Sequence, residues 1–239
     1  MKYFKNITIQ RLCLMFTVFP FWTFMAINAW AQLTAAEAKG NLNTIESAEE
    51  VLAGNGFSED FNRGRADNWI DDESGVWSAT DGVYRMTGTG VGALRASCYN
   101  APFDNFTYQI DVRRTQGNPD ASQGMIFRLS PAGNFYVFAI TSSGYYGAFK
   151  FDSRNGYELI PWTPTSAVKQ GLKAWNSLKV ICSGPTIEFL VNGTSLKTIK
   201  DNSPYLSGMV GVFAVDEQME AQASKPIVDF DNIRLTVSR

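Results

Sequence analysis

No histidine occurs anywhere in the 239 residues. That removes serine and cysteine triads, whose proton is carried by an imidazole, and every histidine-ligated zinc or iron centre. No glycine-rich phosphate loop or dinucleotide fingerprint is present either. The chemistry still open is glycoside hydrolysis, which needs two carboxylates facing one bond. The nearest acidic pairs are Asp229-x-Asp231 and Glu217-x-x-Glu220, and neither extends to three acids at alternating positions on one strand face. Calcium is the one metal these residue types permit, because it takes carboxylate, amide and carbonyl oxygens. Asp60, near the first strand, is expected to approach Asp229 or Asp231 on the last, with calcium or plain solvated carboxylates as the two alternatives. Asp71-Asp72-Glu73 lacks the spacing of a calcium loop and reads as a solvated turn.

For binding without catalysis, the useful parts are an exposed aromatic ring and a few directional polar groups. Trp69, Trp77 and Trp175 sit where core anchors are expected. Trp162 differs, because Ile160-Pro161-Trp162-Thr163-Pro164 reads as a loop, where a tryptophan is hard to bury. Tyr145 and Tyr146 are consecutive, so on a strand one of them faces away from the core. With Phe149 and Phe151 pointing inward, Tyr146 and Lys150 share the outer face, and Arg128 points away from Phe127 and Leu129. Arg128, Tyr146, Lys150 and Trp162 are therefore the expected ligand constellation, against the blander alternative of a solvated sheet face.

The elements that must position these residues are strands. Phe106-Thr-Tyr108-Gln-Ile110-Asp-Val112 alternates strictly between large apolar and polar residues, as do the runs around Leu178–Cys182 and Ile187–Val191. Asn192-Gly193 and Asp81-Gly82 each fall between strand-like runs, the strongest short-range hairpin signal. Further strands are expected at Met125–Leu129, Phe135–Ile140, Tyr145–Phe151, Met209–Val215 and Ile227–Val237. In the last, the apolar parity slips between Phe230 and Ile233, which predicts a bulge near Asp231-Asn232. About a dozen strands with no convincing helix between them mean a sandwich or barrel.

Ahead of the strands stand two other segments. Lys2, Lys5 and Arg11 precede an apolar stretch from Leu12 to Ile27, and Ala29-Trp30-Ala31 ends it with small residues at the positions a signal peptidase reads. Residues 1–31 are thus expected to be a signal peptide, and the protein to be secreted or periplasmic. The apolar stretch is broken by Thr17, Pro20 and Thr23 and is short for a span, so no stable membrane insertion is expected after cleavage. Residues 32–55 form a leader with helix-favouring composition, and residues 56–239 the domain. Cleavage leaves 18 Lys+Arg against 23 Asp+Glu, which argues against nucleic acid. Cys98 and Cys182 remain, as a disulfide or as two buried thiols.

The order of segments resembles concanavalin-A-like jelly rolls of the laminin-G-like type, and bacterial domains of the 3-keto-disaccharide hydrolase type. The resemblance rests on Glu59-Asp-Phe61 with Trp69, Gly75-Val-Trp77 through Asp81-Gly82, Phe103-Asp-Asn-Phe106 and Gly124-Met-Ile-Phe127-Arg128. It continues through Tyr136-Val-Phe138, Trp175-Asn-Ser-Leu178, Ile187-Glu-Phe189-Leu-Val191-Asn-Gly193 and Phe230-Asp-Asn-Ile233. It implies an all-β, antiparallel two-sheet jelly-roll sandwich. Glucanases of that fold carry Glu, Asp and Glu at alternating positions, a pattern this chain lacks. The leading reading is an exported carbohydrate-binding, lectin-like module without its own catalysis. The alternatives are a carbohydrate-active hydrolase of the 3-keto-disaccharide or glucanase type, distinguished by a carboxylate pair facing one cleft, and a protein-interaction sandwich, distinguished by an apolar outer surface.

Overall fold

The computed structural model describes residues 56–72, 74–90, 92–153, 155–216 and 225–238. The expected signal peptide and leader, and the Glu217-x-x-Glu220 pair, lie outside them. Among the described residues there is no helix; fifteen strands form two antiparallel sheets packed as a sandwich.

The first sheet runs in the order β13 (Thr194–Lys200), β12 (Thr186–Val191), β11 (Asn176–Ser183), β6 (Phe106–Gln116), β15 (Ile227–Val237), β4 (Val83–Thr87) and β3 (Trp77–Thr80). A short β1 (Gly56–Glu59) also pairs with β15, beyond the stretch that β4 occupies. The second sheet runs β10 (Gly156–Pro164), β9 (Tyr145–Phe151), β8 (Phe135–Thr141), β7 (Ser122–Leu129), β14 (Gly208–Asp216), β5 (Ala93–Phe103) and β2 (Trp69–Asp71). Neighbours distant in sequence, such as β6 with β15 and β7 with β14, make this a jelly roll rather than a meander.

Strict alternation in β6 explains its place: Phe106, Tyr108, Ile110 and Val112 are fully buried between the sheets, and the residues between them face solvent. They meet Met125, Phe127, Tyr136, Phe138 and Val212 of the other sheet in one apolar core. Full burial of each such side chain stabilises by roughly 1.5–3 kcal/mol. Hydroxyls inside the core find partners across it: Tyr108 donates to the Gly211 carbonyl at 3.1 Å, and Tyr84 pairs with Ser97 at 2.9 Å.

The expected bulge is present. Asn232 has φ 49°, the β15–β6 register shifts between Asp231 and Arg234, and Val228, Phe230, Ile233 and Leu235 all reach the core. Both hairpin signals hold as well, since Asn192 and Gly193 have φ of 50° and 81°, and Asp81 and Gly82 of 53° and 71°. Positive φ at both central residues is the twist-matched turn for two strands. Cys98 and Cys182 are free and buried, on β5 and β11 of different sheets. Burial pushes the Cys182 thiol up to about 12 and the Cys98 thiol higher still.

Candidate functional site

The sheet β10-β9-β8-β7-β14-β5-β2 is apolar on both faces. One face closes the core. The other carries a second cluster of Ala96, Cys98, Ile126, Leu129, Phe135, Val137, Ala139, Phe149, Phe151 and Phe213, with Leu94, Trp162 and Met209 at its margin. Strands buried on both faces read as continuous apolar runs, so alternation loses its meaning there. That is why the parity expected for β9 is reversed. Phe149 and Phe151 belong to the outer cluster, whereas Tyr146 and Ala148 point into the core, and Tyr146 is therefore not available to a ligand. Tyr145 takes the outward position and is 38% exposed.

Arg128 is also corrected. Its φ of 53° falls where the β14–β7 register shifts between Met209 and Gly211, and this turns the side chain toward one end of the sandwich. There the guanidinium is fully buried and donates to the carbonyls of Gly184 (2.8 Å), Tyr205 (2.9 Å) and Asp104 (2.9 Å). Lys150 likewise points inward. Its ammonium pairs with Asp201 at 2.8 Å, donates to the Ser203 carbonyl, and lies 4.5 Å from the centre of the Tyr205 ring. The Tyr136 hydroxyl also donates to Asp201, at 2.6 Å, and accepts from the Tyr205 amide at 3.0 Å. Burial alone would raise the Asp201 carboxyl, but the hydrogen bonds from Lys150, Tyr136 and the Ser203 amide hold it below its usual range. Both cations of the expected constellation thus fasten the connection from β13 to β14.

Trp162 lies on a strand rather than a loop. β10 is the edge of its sheet, where a proline's missing N–H costs no ladder bond, so Pro161 and Pro164 are accommodated. Register shifts between Glu158 and Ile160, and between Ile160 and Thr163, give room for them. The Trp162 ring is half-buried and packs on Phe149, with centroids 5.5 Å apart at 51°. Gly147 makes this seat possible, because a Cβ there would lie 3.0 Å from the Phe149 ring and 3.3 Å from Trp162. Glu158 stands opposite Phe149 in register and is exposed beside it. Among the described residues, the pairing leaves Glu158 as the one carboxylate that a strand of this sheet directs outward.

The expected metal ligands separate. Asp229 stands directly opposite Arg85 of β4 and Arg113 of β6, and its buried oxygens accept from them at 2.7 and 2.8 Å. Two guanidiniums occupy this carboxylate, so it is not free for a cation. Trp175, expected in the core, is instead half-buried over Arg113, 4.5 Å from its guanidinium carbon. Burial raises the Asp231 carboxyl, and the charges of Asp111 and Asp60 raise it further. A groove of about 280 Å³ between β1 and the bulge is lined by Asp60, Asp111, Gln109, Asn232 and Arg234, among others. No three Cys, Asp or Glu side chains among the described residues are grouped so as to hold a metal.

Sequence reading missed Tyr157 and Tyr205. Tyr157, on β10, is 47% exposed, and its hydroxyl donates to Asp152 at 3.0 Å. The only available signal was an aromatic next to the turn Asp152-Ser153-Arg154-Asn155-Gly156, and nothing local links it to Tyr205.

Residues 56–236 match the family model of the 3-keto-alpha-glucoside-1,2-lyase-like domain. Among solved structures, carbohydrate-binding module CBM66 from Bacillus subtilis superposes with a TM-score of 0.56 at 19% identity, covering 71% of this chain and 95% of that one. A Bacillus licheniformis beta-glucanase gives 0.61 at 12% identity, covering 78% and 99%. The catalytic domain of an endo-1,3-beta-glucanase (laminarinase) from Thermotoga petrophila gives 0.56 at 8%, covering 78% and 98%. The family match and these likenesses of fold together fit the concanavalin-A-like jelly-roll superfamily. A search of curated proteins by sequence finds no match.

Proposed function

The chain belongs to the 3-keto-alpha-glucoside-1,2-lyase-like family, and from that premise we propose that it is an exported, non-catalytic domain that binds a neutral β-linked glucan. The observation that carries this reading is the outward margin of β9 and β10. There Trp162 is propped on Phe149, between exposed Tyr145 and Glu158, and no second outward carboxylate accompanies Glu158 on the described strands of this sheet. A two-carboxylate mechanism needs a partner across the bond. An aromatic ring with one acceptor beside it is sufficient to stack a sugar's C–H face and orient a hydroxyl. The names of two similar structures, both glucanases, support the choice of ligand class.

A hydrolase or lyase reading has the family name in its favour. It would require a proton-transferring set, in a chain without histidine, beyond Glu158, the one outward carboxylate on the described strands of this sheet. The deciding experiment is calorimetric binding of laminarin to the full chain, beside an assay for its breakdown. Wild type is expected to bind and leave the polymer intact. Trp162→Ala should weaken binding by about tenfold, the scale of a truncated aromatic anchor. Release of shorter products would overturn the non-catalytic reading, and binding indifferent to Trp162→Ala would move the site. Repeating the titration with calcium and with chelator tests whether Asp60 and Asp231 recruit an ion.

A further inference from the structure

We infer that Tyr145 is a second stacking platform beside Trp162, and that the glucan is read as a short run of sugars laid along the outward face of β9 and β10, from Tyr145 across Trp162 to Glu158. The inference rests on the glycan reading above and extends it to the length of ligand recognised.

The strand register puts all three groups on one face. Tyr145 stands opposite Pro164 and Tyr146 opposite Thr163, so Trp162 lies over Gly147, the next outward position of β9. A Cβ at Gly147 would come within 3.3 Å of the Trp162 ring, so the indole occupies the space that the glycine leaves. Glu158 stands opposite Phe149, one outward position further along. Between these positions Tyr146 and Ala148 turn into the core, as the alternation of a strand requires. The outward face thus offers an exposed tyrosine, a tryptophan propped on Phe149 and an exposed carboxylate in sequence. Each is roughly 7 Å from the next, at ~3.3 Å per residue of β9.

The backbone beneath Tyr145 is fixed before any ligand arrives. β9 begins directly after a tight turn, in which Gly144 has a φ of 98° and its amide donates to the Thr141 carbonyl at 3.2 Å. The Tyr145 amide donates to the Thr141 hydroxyl at 3.2 Å. From the end of β10, the Thr165 amide donates to the Gly144 carbonyl at 2.9 Å, which ties the turn to the strand that carries Trp162. A ring on so constrained a base loses little freedom on contact, and this suits a weakly binding ligand.

The edge position selects the kind of occupant. An added peptide strand would need a regular row of backbone donors and acceptors, and β10 offers Pro161, Pro164 and two register shifts instead. An occupant must therefore use side chains, and adjacent rings match the C–H faces of consecutive sugars. Glu158 accepts hydroxyl hydrogens and repels anions, so the chain of sugars is neutral. Both ends of the row are bounded. Beyond Glu158 the next outward pair is buried Phe151 and Gly156, which has no side chain to offer, and before Tyr145 the chain turns back at Gly144. Two intervals of roughly 7 Å accommodate about three sugars.

Isothermal calorimetry of the full chain with laminari-oligosaccharides, from the disaccharide to the hexasaccharide, tests this. Wild-type affinity should rise to the trisaccharide and level off there. Tyr145→Ala should weaken the trisaccharide about five- to tenfold, whereas Tyr145→Phe, which keeps the ring, should retain most of the affinity. Melting curves establish that the fold is intact, and Tyr145→Leu, apolar but ringless, should match Tyr145→Ala and replaces it if alanine lowers the melting point. Unchanged trisaccharide affinity in Tyr145→Ala, while Trp162→Ala is weakened, overturns the inference alone. An affinity that still climbs beyond the tetrasaccharide overturns it too, as does an equal loss in Tyr145→Phe and Tyr145→Ala. Failure of the wild-type chain to bind any of the series strikes the glycan reading itself.

Discussion

Lys150 illustrates how a residue chosen for exposure can have a fixed structural partner. Its ion pair with Asp201 is nearly buried, each side chain about one-tenth exposed. The consequence for pH follows from the direction of the Asp201 shift. A carboxyl held below its usual 3.8 in the folded state contributes stability above that value and loses it as pH falls through the lower folded value. Asp201→Asn should therefore be less stable than wild type at pH 7, by about 1.5–3 kcal/mol, the net worth of a hydrogen bond to a charged group. Urea unfolding at neutral pH and at pH 2 checks this, with the difference between the two proteins expected to shrink in acid. An equal gap at both pH values would mean that the charge of Asp201 is not what matters. None of this was legible locally, because the two partners are 51 residues apart. The same holds for Asp229, whose ladder with Arg85 and Arg113 exists only once three strands are in register. Acidic spacing along one strand does not reveal which cations flank it.

At the level of elements, turns were the most readable feature and β10 the least. Asn192-Gly193 declares its hairpin because few residue pairs tolerate positive φ twice. Asn192 does more than turn: its side chain accepts from the Ser177 amide and donates to the Ala167 carbonyl and to Asn176, pinning the neighbouring loop to the hairpin. Gly193→Val should destabilise the domain by about 1–3 kcal/mol through backbone strain alone, since no atom lies within 4 Å of the added Cβ. Equilibrium denaturation measures it, and an unchanged midpoint would show that the turn relaxes freely. β10 escaped because two prolines in nine residues read as a loop, a rule that holds for interior strands and fails at an edge. The direction of β9 was misread for a different reason. Its aromatic residues fall on both parities, so the pattern contains no information on which face meets the other sheet.

For the whole molecule, the fold class was legible from the number of strands, their turns and their order, whereas the pairing was not. Sheet membership depends on crossovers such as β5 to β14, which join residues more than a hundred positions apart. Buried arginines help to fix that arrangement at both ends of β7. Arg128 closes one end on three carbonyls, and Arg114 holds Gln123 at 3.0 Å and the Val215 carbonyl at 3.2 Å near the other. Among the described residues, no buried arginine clasps the seam between β1 and β15. Gly56 pairs with Thr236 and Glu59 with Ile233, so the described chain enters and leaves the sandwich side by side, in opposite directions. Tension applied through those two ends pulls across the ladder and opens its bonds one after another, rather than loading them all together. In single-molecule extension, β1 should peel away first in a low-force step, and a single high-force rupture with no precursor would refute that order. A tether anchored on both sides of this domain would thus pay out a short length of slack before the rings on β10, at the far edge of the other sheet, lose their support.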